Sequence, residues 1–167
     1  MSVMLLPIAA LTASIALPEP ASALRYDCTP SQPGVRVNVS GLRDRSGRLK
    51  LELYPATEAD FLQDDHALLK AGKVFRRVVT AVPAQETSMC VPVPGPGRYA
   101  VIVIHKRDNT PKFSVVSDGV ALSGTSRIGR RKPTVDEATV VVADRVTTVD
   151  ARMQYLRGLA GFKPLAR

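Results

Sequence analysis

No Cys-x-x-Cys pair, no histidine-rich tract and no Gly-x-Ser-x-Gly turn occurs in this chain. The first two absences argue against dithiol redox catalysis and a Cys/His zinc site, both of which need thiolates or imidazoles at close, regular spacing. The third removes the strand-to-helix elbow that exposes a serine nucleophile. There is no internal repeat and no low-complexity block. The most apolar stretch, at the amino terminus, is interrupted by Pro7 and Pro18, whereas a membrane-spanning helix needs about 20 apolar residues in a row.

That stretch has another reading. Residues 1–17 are apolar, the run breaks at Pro18-Glu19-Pro20, and Ala21-Ser22-Ala23 follows with the small-x-small pattern of a signal-peptidase site. Residues 1–23 are therefore expected to be a secretory signal, cut after Ala23. No Lys or Arg precedes the apolar run, which leaves a start further upstream as an open alternative. The mature chain divides into an extension over 24–34, a domain over 35–155 and a tail over 156–167, with no transmembrane segment. Its expected location is periplasmic or secreted.

Two cysteines, Cys28 and Cys90, lie in the mature part. In an oxidising compartment an even count at wide separation reads as one disulfide. It would close a loop of about 62 residues, worth about 4 kcal/mol in the chain-entropy model. Two free thiols are the alternative.

The formal charge is +8, and cleavage of the signal removes Glu19 from the acidic side. In the cytosol such a balance would suggest nucleic acid as a partner. Outside it, the anions encountered are lipid head groups, cell-wall polymers and acidic polysaccharide. The expected partner is accordingly an anionic envelope component or an envelope protein, and not nucleic acid; general solubility charge is the competing explanation.

The mature part reads as an all-β chain. Residues 35–40 and 48–54 alternate, with Val35, Val37 and Val39 on one face and Leu49, Leu51 and Leu53 on another, and the turn at 43–47 suggests a hairpin between them. Residues 56–71 lose the alternation; Thr57 is a candidate cap for a short helical excursion. Strands are expected at 73–82, at 87–93 (an edge, because Pro92 cannot donate to a ladder) and at 98–105. The last is apolar on both faces, as in a strand covered on both sides. A short strand near 113–116 and a closing hairpin of 138–142 with 146–155 complete an antiparallel sandwich of seven or eight strands. A closed barrel is the competing architecture.

The segments Val37-Asn-Val-Ser-Gly-Leu-Arg43, Gly47-Arg-Leu-Lys-Leu-Glu-Leu-Tyr54, Gly95-Pro-Gly-Arg-Tyr-Ala-Val-Ile-Val-Ile-His105 and Asp118-Gly-Val-Ala-Leu-Ser-Gly124 resemble the bacterial domain-of-unknown-function 2141 family over roughly residues 35 to 155. The resemblance implies a secreted transthyretin-like or immunoglobulin-like sandwich and carries no established activity. This chain departs from the family pattern in the loop after His105, where basic residues flank Asp108 and Asn109.

Two constellations are candidates for function. His105, Asp108, Asn109 and Asp118 could form a ligand position at the sandwich rim. Lys106 and Arg107 oppose a dication there, which would need six or more oxygens, so no metal and no cofactor is expected. Arg127, Arg130, Arg131 and Lys132 form the densest cationic cluster. With Lys106 and Arg107 they are candidate anion binders, since guanidinium suits bidentate phosphate or carboxylate recognition. A hydrolase built on His66 or His105 lacks its serine elbow, and the chain is expected not to be an enzyme. A module docking by strand addition along the edge at 87–93 is the alternative function.

Overall fold

A computed structural model describes residues 28–84, 87–108 and 110–166. The expected signal at 1–23, the first residues of the extension at 24–27, Asn109 and the final Arg167 lie outside the described residues, as do Gln85 and Glu86.

Among the described residues ten strands form two sheets. β1 (Gly34–Ser40), β4 (Thr87–Pro92) and β8 (Val146–Arg152) make a three-stranded sheet in the order β4-β1-β8. β2 (Arg48–Pro55), β3 (Arg76–Ala81), β5 (Gly97–Lys106), β6 (Gly119–Ala121), β9 (Gln154–Leu156) and β10 (Phe162–Pro164) run β10-β9-β6-β5-β2-β3 in the other sheet. Its seventh strand, β7 (Thr139–Val142), pairs with β5 beyond the reach of β6. Neither sheet closes into a barrel. All pairs are antiparallel except β1 with β8, which run parallel.

The alternating segments bury the faces their pattern predicts. Val35, Val37 and Val39 from one sheet and Leu49, Leu51 and Leu53 from the other belong to a single core, with Val101 and Val103 of β5. Each such fully buried aliphatic side chain stabilises the fold by roughly 1.5–3 kcal/mol. The partners differ from expectation. β1 and β2 are not a hairpin: β1 pairs with β4 and β8, and β2 with β3 and β5. Likewise β7 and β8 lie in different sheets. Both connections cross the core thickness, because opposing inward faces bury more apolar surface than a ribbon with its hydrophobic side uncovered.

β5 is covered on both sides. Its odd residues face the sandwich core, whereas Ala100, Ile102 and Ile104 pack beneath a third layer. Phe61, Leu68 and Phe75 from the β2–β3 connection, and Ile128, Val135 and Ala138 from the β6–β7 connection, supply that layer. The helical excursion contracts to α1 (Asp65–Lys70), capped by Asp64, which accepts from the Ala67 N–H at 3.0 Å. Thr57 is not its cap; the Thr57 hydroxyl donates to Asp60 at 2.8 Å. A second helix, α2 (Val135–Ala138), carries a capping box of Thr134 and Glu137.

Residues 113–116 are no strand. The Asp118 N–H donates to the Ser114 carbonyl at 2.9 Å, closing a turn, and the short strand follows at β6. The segment 146–155 breaks at Met153, where the chain passes from β8 to β9 and so changes sheet. The tail is also structured: a 3-10 turn (Gly158–Ala160) leads into β10, and Leu165 packs on the core. Cys28 and Cys90 are bonded with a sequence separation of 62. Cys90 points away from Met89 and Val91, so the bridge lies on the outer side of the three-stranded sheet.

Candidate functional site

The central strand β5 ends in His105-Lys106 with Arg107 next in the chain, and these three side chains organise one end of the large sheet. Asp118, fully buried, is their hub. Its carboxylate accepts from the Lys106 ammonium at 2.7 Å, the Arg107 N–H at 3.0 Å and the Ser114 N–H at 2.8 Å. Lys106 also reaches Asp108 at 2.7 Å and the Lys112 carbonyl at 2.6 Å. Arg107 turns to Asp44, with its Nε 2.8 Å away. Burial alone would raise the Asp118 carboxyl, but the Lys106 ammonium and the backbone donors outweigh it and hold the group below the ordinary carboxylate range.

His105, the candidate ligand at the sandwich rim, is fully buried. Its Nδ1 meets the Tyr155 hydroxyl at 2.6 Å and its Nε2 the Ser46 carbonyl at 2.8 Å. The reason is topological: β6 and β9 lay Gly119 and Tyr155 alongside the strand end, so the imidazole points into the core. Burial pushes the His105 pKa down. Both His105 ring nitrogens and the Asp118 oxygens thus have partners within the chain. Asp108 is committed to Lys106 and the Thr110 hydroxyl, and Asn109 lies outside the described residues. Among the described residues no three His, Cys, Asp or Glu side chains converge as metal ligands. His66 stands exposed on α1 with Asp65 at 3.9 Å.

The cationic cluster occupies the β6–β7 connection. Ile128 anchors it: the side chain is buried, and its N–H donates to the Gln154 side chain at 2.8 Å. Gly129 then bridges to Phe162 of β10. Arg131 is neutralised by Glu137 in a bidentate pair at 2.8 and 2.6 Å. Arg127, Arg130 and Lys132 are exposed and have no carboxylate within salt-bridge distance among the described residues. The structure therefore separates the six candidate anion binders. Lys106 and Arg107 sit on or just beyond β5, whereas Gly129 pairs with Phe162 of β10, and the Lys106 and Arg107 charges are matched by Asp108, Asp118 and Asp44.

One feature escapes the sequence pattern. A groove of about 360 Å³ is lined by Arg48, Lys50, Val79, Lys106, Asp108, Thr110 and Pro111. The alternation of Arg48 and Lys50 with Leu49 and Leu51 places the cations on the outer face. Asp108, Thr110 and Pro111 make the second wall.

The family model described as "Uncharacterized protein conserved in bacteria (DUF2141)" matches residues 37–150. No curated protein and no solved structure matches the chain.

Proposed function

This chain belongs to the bacterial family DUF2141, and on that footing we propose that it is an exported, non-enzymatic binding module of the cell envelope whose ligand is anionic. One observation carries the reading: Arg127, Arg130 and Lys132 stand exposed and uncompensated on a loop clamped by Gln154 and by the Gly129–Phe162 bridge. A cationic loop that is merely a solvated linker gains nothing from such anchoring. A loop whose backbone is already held loses less freedom when its side chains engage phosphate or carboxylate. Export is supported by the signal-like residues 1–23 and by the Cys28–Cys90 bridge. No helix among the described residues is long and apolar enough to cross a membrane.

The test is binding of labelled polyphosphate and polygalacturonate by fluorescence anisotropy at about 50 mM and about 200 mM salt, where screening differs strongly. The reading expects salt-weakened binding to at least one polymer, reduced about tenfold when Arg127, Arg130 and Lys132 become Ser, a loss of the size expected for charged hydrogen bonds. Equal binding by that variant would remove it.

A second reading rests on β4, which among the described residues pairs only with β1, its other edge having no strand partner among them. A partner strand could add there, although Pro92 at its end limits the length of any such ladder. Co-purification of a stoichiometric protein partner, lost on Ser88→Pro, would favour it.

A further inference from the structure

Four large apolar side chains are exposed at one end of the molecule: Phe113 at 41 %, Val115 at 51 %, Val116 at 76 % and Leu159 at 86 %. They come from two loops distant in sequence, and the Phe113 and Phe162 rings, 6.2 Å apart, bring those loops together. Val115 and Val116 are within three residues of one ring and Leu159 within three of the other.

The Val115–Val116 turn is held rather than slack. The Asp118 N–H closes it on the Ser114 carbonyl at 2.9 Å, and the buried Asp118 carboxylate takes the Ser114 N–H at 2.8 Å. A rigid turn displaying two valines forgoes the solvation a polar turn would have. Exposed apolar surface of this kind marks an interaction site.

The charges around it decide the occupant. Lys112 precedes Phe113. Arg130 follows Gly129, whose N–H donates to the Phe162 carbonyl at 2.9 Å, and the Arg157 N–H donates to the Gly161 carbonyl at 3.0 Å. None of these three side chains has a carboxylate partner among the described residues. Apolar tips ringed by uncompensated cations match the layered chemistry of an anionic bilayer, with acyl chains below and phosphates at the level of the cations.

We propose that this end of the molecule docks on an anionic lipid bilayer, with Val115, Val116 and Leu159 entering the interface and Lys112, Arg130 and Arg157 meeting the lipid phosphates. The proposal rests on the anionic-ligand reading above and narrows it to a lipid surface.

The full chain contains no Trp, so Val116→Trp introduces a unique fluorophore. Its emission should shift to the blue and be quenched by bromolipid on addition of phosphatidylcholine vesicles holding about 30 % phosphatidylglycerol, an anionic surface, and should not respond to phosphatidylcholine alone. Sedimentation of the otherwise unaltered chain with the anionic vesicles should weaken about tenfold for Val115→Asp with Val116→Asp, and comparably for Lys112→Ser with Arg130→Ser. Circular dichroism should show both variants folded. Polyphosphate binding retained by the aspartate variant, with vesicle binding lost, is the expected signature of insertion. Polyphosphate or polygalacturonate binding with no vesicle binding by the unaltered chain overturns this inference and leaves the anionic-ligand reading standing; binding to neither polymer nor vesicle overturns both. A solution dimer broken by the aspartate variant, without vesicle binding, would assign the patch to a second copy and likewise overturn it.

Discussion

The hydroxyl of Tyr155 donates to Nδ1 of His105 across 2.6 Å, joining residues 50 apart in sequence. The direction follows from the other partners. The Ser46 carbonyl at 2.8 Å can only accept, so Nε2 carries the imidazole proton and Nδ1 is the acceptor. The Tyr155 oxygen in turn accepts from the Arg43 N–H at 3.0 Å. A neutral histidine with one defined tautomer thus ties the Gly47 turn, the central strand and β9 into one buried chain of hydrogen bonds.

Replacing Tyr155 with Phe should therefore cost about 1–3 kcal/mol, because the ring is retained while Nδ1 and the Arg43 N–H lose their partner. Urea unfolding should show a lower midpoint at unchanged slope. A midpoint equal to that of the unaltered chain would mean that water replaces the hydroxyl.

His105 also sets a pH dependence. Its folded pKa lies below the ordinary value of 6.5 because burial disfavours the cation. Between the folded value and 6.5 the unfolded chain binds more protons, so stability falls as pH drops through that window and is insensitive to this group above it. Asp108 and Glu137, held down to about 2 by Lys106 and Arg131 respectively, should produce a separate loss between about pH 4 and about pH 2. Urea midpoints measured from neutral to acid pH should fall in two steps, the upper one missing in His105→Gln.

Asp118→Ala should be severe. It removes the buried carboxylate of the 5 % exposed Lys106, leaving the ammonium to the partly exposed Asp108, and leaves two loop N–H groups unsatisfied, a loss of about 3 kcal/mol. Adding Lys106→Met removes the under-compensated charge and should recover part of it, a non-additivity that a double-mutant cycle reads directly. Strictly additive losses would place the damage in the backbone donors alone.

Gly119→Ala tests the packing behind the same pair. A Cβ there would fall 2.4 Å from Cε1 of Tyr155, and the ring is fully buried with no room to retreat. Overpacking of this kind costs about 1–3 kcal/mol, and the near-ultraviolet tyrosine signal should change with it.

The disulfide offers an independent measure. With Cys28 and Cys90 at a sequence separation of 62, substituting both by Ser should lower stability by about 4 kcal/mol in the chain-entropy model, seen as a matching drop in the urea midpoint. A much smaller effect would indicate that the unfolded chain is already compact across this loop.

The linear order of residues determined which side chains go inward. Val35, Val37 and Val39, like Leu49, Leu51 and Leu53, declare their face by alternation, since successive side chains on a strand point to opposite sides whatever the neighbour. The two apolar faces of β5 likewise announced a covered central strand. Tertiary structure alone decided who pairs with whom. Alternation is satisfied equally by a hairpin and by two strands facing each other across a core, so β1 and β2, or β7 and β8, could be placed only by the whole chain. The same holds for the candidate sites. His105 and Asp118 were legible as polar residues at a strand end, but their burial depends on Tyr155 and on the loop that folds back over Lys106. The exposed apolar tip was hidden because Phe113 and Phe162 meet through contacts that no local spacing encodes.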